Sequence, residues 1–111
     1  MLALPGSVRI FLCSGPTDMR KSYDSLAGVV RGLLKEDPLS GHLFVFYNRR
    51  KTLTKILYWD GNGYVIWQKR LSQGTFRLPI SPDGRLEMRD LYTFLEGIVP
   101  KRYHKRYRKN R

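Results

Sequence analysis

A chain of 111 residues fits one domain, and with 41% hydrophobic and 13% aromatic residues it can bury a modest core, which excludes a disordered polyelectrolyte. The 21 Lys and Arg against 9 Asp and Glu leave a formal charge of +12, a balance that points to a polyanionic partner: DNA, RNA or an anionic membrane face. The single cysteine, Cys13, excludes an internal disulfide and fits a reducing cytoplasm.

The N-terminal stretch lacks a basic leader region and is interrupted by Arg9, so no signal peptide is expected. No run approaches the ~20 apolar residues of a membrane helix. "VRIFLC", residues 8–13, reads as a strand, and Gly15 and Pro16 break it. Met19, Tyr23, Leu26, Ala27, Val30, Leu33 and Leu34 then recur at spacings of three and four, which predicts a helix capped by Thr17 or Ser22. "HLFVFYN" is a second strand. "TLTKILYWD" and "YVIWQKRL" flank Gly61-Asn62-Gly63, the signature of a β-hairpin. A short edge strand is expected near "TFRL", before Pro79, and "SPDG" is a turn. Met88, Leu91, Leu95 and Ile98 space a last helix that Gly97 and Pro100 end. The order β-α-β-β-β-β-α predicts an α+β domain over residues 1–100, with one antiparallel sheet of four to five strands and both helices on one face.

Residues 101–111, "KRYHKRYRKNR", form a basic tail, expected to be disordered or helical only on binding. It holds seven cations: Lys101, Arg102, Lys105, Arg106, Arg108, Lys109 and Arg111. Without them 14 cations still oppose 9 acids, so the body is basic on its own.

Several constellations bear on function. In "FLCSGPTDMRKS", Arg20 and Lys21 sit where a helix start attracts phosphate, although an ordinary capped turn is the plainer reading. "NRRKTLTK" sets Arg49, Arg50, Lys51 and Lys55 around a loop between strands, with Lys69, Arg70 and Arg77 on a neighbouring edge. These cations suit a DNA backbone or equally a solvated hairpin tip that discourages aggregation. Tyr47, Tyr58, Trp59, Tyr64 and Trp67 are more often cross-strand core pairs than a base-stacking platform. Enzyme chemistry finds little support. Asp18, beside Arg20, is the one acid in an interesting setting, and an ion pair or helix cap accounts for it. His42, His104 and Cys13 lack metal-ligand spacing. No catalytic residue, metal or cofactor is expected.

The residues also carry a resemblance. Thr17-Asp18-Met19-Arg20-Lys21, Ser40-Gly41 with Phe44-Val45-Phe46, Asn48-Arg49-Arg50, Lys55 followed by Leu57-Tyr58-Trp59-Asp60, and Lys69-Arg70-Leu71 with Gly74 and Phe76 are similar, in order, to the Orf2-like accessory proteins of the IS66 family of bacterial insertion sequences. The likeness runs from about Val8 to Ile98. It implies a small, non-catalytic bacterial protein that serves transposition beside a separate transposase, in which the strand-cutting chemistry resides. Contact with DNA, with the transposase, or with both is compatible with it. Self-association is left open.

The lead expectation is therefore a cytoplasmic accessory factor that binds DNA through Arg20, Lys21, Arg49, Arg50, Lys51, Lys55, Lys69 and Arg70, with the tail adding sequence-independent phosphate affinity. The alternatives are a module that tethers to the transposase without recognising DNA, and a nuclease using Asp18, which ranks last.

Overall fold

The structure, a computed structural model, describes residues 7–99. Along the chain come β1 (Ile10–Leu12), α1 (Tyr23–Val29) continuing into a π-helical segment (Val30–Leu34), β2 (Leu43–Tyr47), β3 (Leu53–Trp59), β4 (Tyr64–Arg70), β5 (Arg85–Leu86) and α2 (Met88–Glu96). The expected element order and α+β class hold. The strands form one sheet in the order β4-β3-β2-β1-β5.

The sheet is mixed rather than wholly antiparallel. β1 and β2 run parallel, while β1/β5, β2/β3 and β3/β4 run antiparallel. The cause is α1, which carries the chain back along the sheet and so returns β2 in the direction of β1.

The helices cover opposite faces of the sheet, not the same one. Leu43, Val45 and Tyr47 of β2 join Ile10, Leu12 and Ile56 in a core closed by Leu91, Phe94 and Leu95 of α2. Phe44 and Phe46 point the other way and join Phe11, Cys13 and Leu57 under Leu26 and Ala27 of α1. All five residues of β2 are therefore buried, because a strand covered on both faces has no polar side. Ser22 is the N-cap of α1, and its N–H donates to Ser25 Oγ at 2.9 Å. Glu87 is the N-cap of α2, and its N–H donates to the Asp90 carboxylate at 3.0 Å.

No strand forms at Thr75–Leu78. Thr75 makes only an isolated bridge to Ile98, and Phe76 turns inward to stack on Phe94 with ring centroids 4.9 Å apart. The fifth strand is instead Arg85–Leu86, which follows the Ser81–Gly84 turn and pairs with β1. The segment around Thr75 acts as a clasp. Thr75 N–H donates to Ile98 O at 3.0 Å, and Ile98 N–H donates back at 2.7 Å. Gly74 has φ +75°, and a Cβ there would collide with the Ile98 carbonyl oxygen. On its other side Phe76 N–H donates to Lys51 O at 2.7 Å, joining the clasp to the β2–β3 loop.

Candidate nucleic-acid interface

Two loops with cationic sequences meet at one end of the sheet. The first is the Pro16–Lys21 segment. Cys13 N–H donates to Val45 O at 3.0 Å and Thr17 N–H to Tyr47 O at 2.8 Å, so this segment runs alongside the end of β2. Asp18 then organises a tight turn. Its Oδ1 accepts from the Arg20 N–H at 2.9 Å, while the Arg20 guanidinium grips both carboxylate oxygens, with Nη2 to Oδ2 at 2.7 Å. The guanidinium is 91% exposed and the carboxylate 44%, so the pair faces solvent. The Arg20 side-chain hydrogen bonds, then the Arg20 backbone bond, hold the Asp18 carboxyl at about 2, below its ordinary 3.8. Lys55, on β3, holds the same segment from beneath. Its Nζ donates to Met19 O at 2.7 Å and to Lys21 O at 2.8 Å.

The second loop joins β2 to β3. Asn48 Oδ1 accepts from the N–H groups of Thr52 and Leu53 at 2.8 and 3.1 Å, and Nδ2 donates to Thr52 Oγ1 at 3.1 Å. Lys51 N–H donates to Asn48 O at 3.0 Å, which closes a turn with Arg49 and Arg50 at its centre. Lys51 itself sits at φ +60°, in the left-handed region where glycine is the usual occupant. Arg49, Arg50 and Lys51 are all exposed.

Between the loops lies a groove of about 390 Å³, walled by Pro16–Met19 on one side and Asn48–Arg50 on the other. The structure thus brings the Pro16–Met19 segment, which leads into Arg20 and Lys21, against Arg49 and Arg50. Among the described residues the ion pairs are Arg20–Asp18 and Arg89–Glu87, which leaves the Arg49 and Arg50 cations to solvent. Arg70 is exposed at the same end of the sheet, opposite Leu53 in register. Lys69 is elsewhere: it points to the α2 side and its Nζ donates to Leu95 O at 2.7 Å, satisfying a carbonyl of the last helical turn. Lys101, Arg102, Lys105, Arg106, Arg108, Lys109 and Arg111 lie outside the described residues.

The aromatic residues serve the fold. Tyr47, Tyr58 and Trp67 belong to the α2-side core and Tyr64 to the α1-side core. Trp59 and Tyr64 meet edge to face at 5.1 Å as a cross-strand pair. Among the described residues no group of three or more His, Cys, Asp and Glu side chains could hold a metal ion, and no helix is long and apolar enough to cross a membrane.

Two roles are not visible in residue type alone. Lys55 and Lys69 look like surface cations in sequence, yet both ammonium groups are spent on main-chain carbonyls. Their signal is alternation: Lys55 shares a strand face with Leu53 and Leu57, and Lys69 with Trp67 and Leu71. Asn48 organises the second loop, and the only hint is its place directly after a strand, where Asn favours turns.

Comparison with known proteins bears on the groove directly, because both of its walls lie inside the matching region. The family model described as IS66 Orf2 like protein matches residues 8–105. Uncharacterized protein y4hO of Sinorhizobium fredii is 41% identical over 100 residues, covering 88% of this chain and 87% of that protein. Uncharacterized protein y4jC of the same organism is 34% identical over 88 residues, covering 79% and 75%. No solved structure matches. With nearly its whole folded body inside the match, the chain belongs to the IS66 Orf2-like family, the accessory proteins of insertion-sequence transposition.

Proposed function

We propose that the protein is a non-catalytic DNA-binding factor of transposition, and that the groove between Pro16–Met19 and Asn48–Arg50 is where it grips duplex phosphates. The observation that carries this reading is the convergence of two cation-bearing loops, far apart in sequence, on one exposed end of the sheet. Hydrogen bonds within the fold give the loops a fixed shape, so Arg49, Arg50, Lys51 and Lys21 present a defined set of charges. The described chain ends at Val99, next to Ile98 of the clasp, which leads through Thr75 and Phe76 to Lys51. The tail cations follow Val99 in sequence and add phosphate affinity without sequence readout. The strand-cutting chemistry belongs to the transposase, with which a protein of this family works.

The test is a binding titration with element-end and scrambled duplexes at several salt concentrations, for the full chain and for a chain ending at residue 100. If all seven tail cations meet phosphate, truncation lowers the log–log salt slope by about 6. Absence of binding to any duplex at low salt, alone or with the transposase, overturns the reading.

A second reading, a module that tethers to the transposase, draws on exposed apolar side chains: Ile80 is fully exposed and Leu33 is 60% exposed. Co-purification with the transposase from nuclease-treated, high-salt lysate, together with no DNA affinity of the isolated chain, is the outcome it expects.

A further inference from the structure

The two edges of the sheet are unlike. The β5 edge is two residues long, follows a tight turn and carries exposed Arg85. The β4 edge is seven residues long, Tyr64 to Arg70, and its first four residues, Tyr64, Val65, Ile66 and Trp67, hold no charge, proline or glycine. Proteins normally blunt such an edge with charge, proline or a covering element. Here the lysine best placed to do so, Lys69, is turned onto Leu95 O of α2.

The hydrogen-bond phase of the hairpin shows which groups the edge offers. Asp60 N–H donates to Gly63 O at one end, and Leu71 N–H donates to Thr52 O at the other. In an antiparallel ladder bonded residues alternate, so with the observed register Val65, Trp67 and Lys69 bond inward to β3. Tyr64, Ile66, Gln68 and Arg70 turn their N–H and C=O groups outward.

We infer that the outward backbone groups of β4 pair with β4 of a second copy of this chain, forming a two-fold antiparallel strand junction. The occupant is a second copy because the strand is self-complementary under that symmetry. Its cationic end, Lys69 and Arg70, lies against the uncharged end, Tyr64 and Val65, of its mate, so no like charges face each other across the seam. An identical strand offers outward groups with the same two-residue spacing. Pairing over this length forms about eight intermolecular main-chain hydrogen bonds and joins two five-stranded sheets into one. The high charge of each chain opposes association, so the dimer is tighter at higher salt, the reverse of the dependence of DNA binding.

The test is the mass of the full chain by light scattering or sedimentation equilibrium, without DNA, over a range of protein and salt concentrations. The expected result is twice the chain's 13.0 kDa, with more dimer as salt rises. Gln68→Pro removes one outward N–H while sparing the bonds to β3, and proline is tolerated at such edge positions. It should yield a monomer with an unchanged circular dichroism spectrum, whereas Gln68→Ala, which keeps the N–H, should remain a dimer. Should Gln68→Pro fail to fold, amide exchange in the wild-type chain decides: Ile66 and Gln68 amides gain protection with protein concentration if the inference holds. A monomer under all conditions, a Gln68→Pro chain as dimeric as wild type, or fast exchange of both amides in a dimer overturns it.

Discussion

The Lys55 ammonium donates to the Met19 carbonyl at 2.7 Å across 36 residues of sequence, and a second bond reaches Lys21 O. A cation in the middle of a basic motif is thereby a structural tie. Lys55→Met, which keeps the aliphatic stem, should lower stability by about 2 kcal/mol in urea unfolding, the value of charge-assisted bonds to partly buried carbonyls. DNA affinity should fall as the first loop loosens, yet the salt slope should stay the same, because this ammonium is committed to carbonyls. A slope reduced by about 0.9 would mean that it meets a phosphate instead.

Arg49 and Arg50 should behave in the opposite way. The double change to Gln leaves the Asn48 network in place and should not alter the unfolding midpoint. It should lower the log–log salt slope by about 2, one counterion for each lost phosphate contact. An unaltered slope places the DNA elsewhere.

Lys51 adopts φ +60°, a conformation that costs a side chain about 1 kcal/mol or more and costs glycine little. Lys51→Gly should therefore stabilise the fold by up to about 1 kcal/mol while weakening DNA binding. Thermal unfolding and a binding titration on the same preparation check both signs.

The folded value of Asp18, about 2, lies below its ordinary 3.8. For a depressed carboxylate, the stabilisation is fully present above the unfolded value and disappears as pH falls through the folded one. The Asp18–Arg20 clamp should thus be intact at neutral pH and through mild acid, its contribution to stability fading between pH 3.8 and about 2. A carboxyl-detected NMR titration should give a midpoint near the lower value in the wild-type chain and near the upper one in Arg20→Gln.

Gly74 combines φ +75° with an Ile98 carbonyl that an added Cβ would strike. Gly74→Ala should cost about 2 kcal/mol or more, from backbone strain and from the broken Thr75–Ile98 bridge. Denaturant unfolding measures it, and Gly61→Ala, where φ is +90° but an added Cβ meets nothing within 4 Å, separates the strain from the collision.

Much of this fold is legible from local chemistry. The hairpin of β3 and β4 turns on Gly61-Asn62-Gly63 as the sequence predicts, and Ser22 caps α1. What fails is inference across distance. The unbroken apolar run of β2 admits either a buried edge or a strand covered twice, and only the placement of α1 and α2 on opposite faces decides. "TFRL" has the composition of a strand, yet the stacking of Phe76 on Phe94 and the clasp to Ile98 claim it first. β5 is two residues long and too short for any periodicity. At the candidate interface the cationic loops could be read from residue type. Which lysines were free could not, because Lys55 and Lys69 find their carbonyls on segments remote in sequence.

The Thr75–Ile98 bridge has one more effect. By anchoring the exit of the fold a few residues from Lys51, it makes encounters between the following cations and anything docked on that loop intramolecular. Joining two sites through a short stretch of one chain can raise their effective concentration to the order of millimolar. On the proposed reading the individual charges then act together, and disrupting the anchor at Gly74 would dilute them without removing a single one.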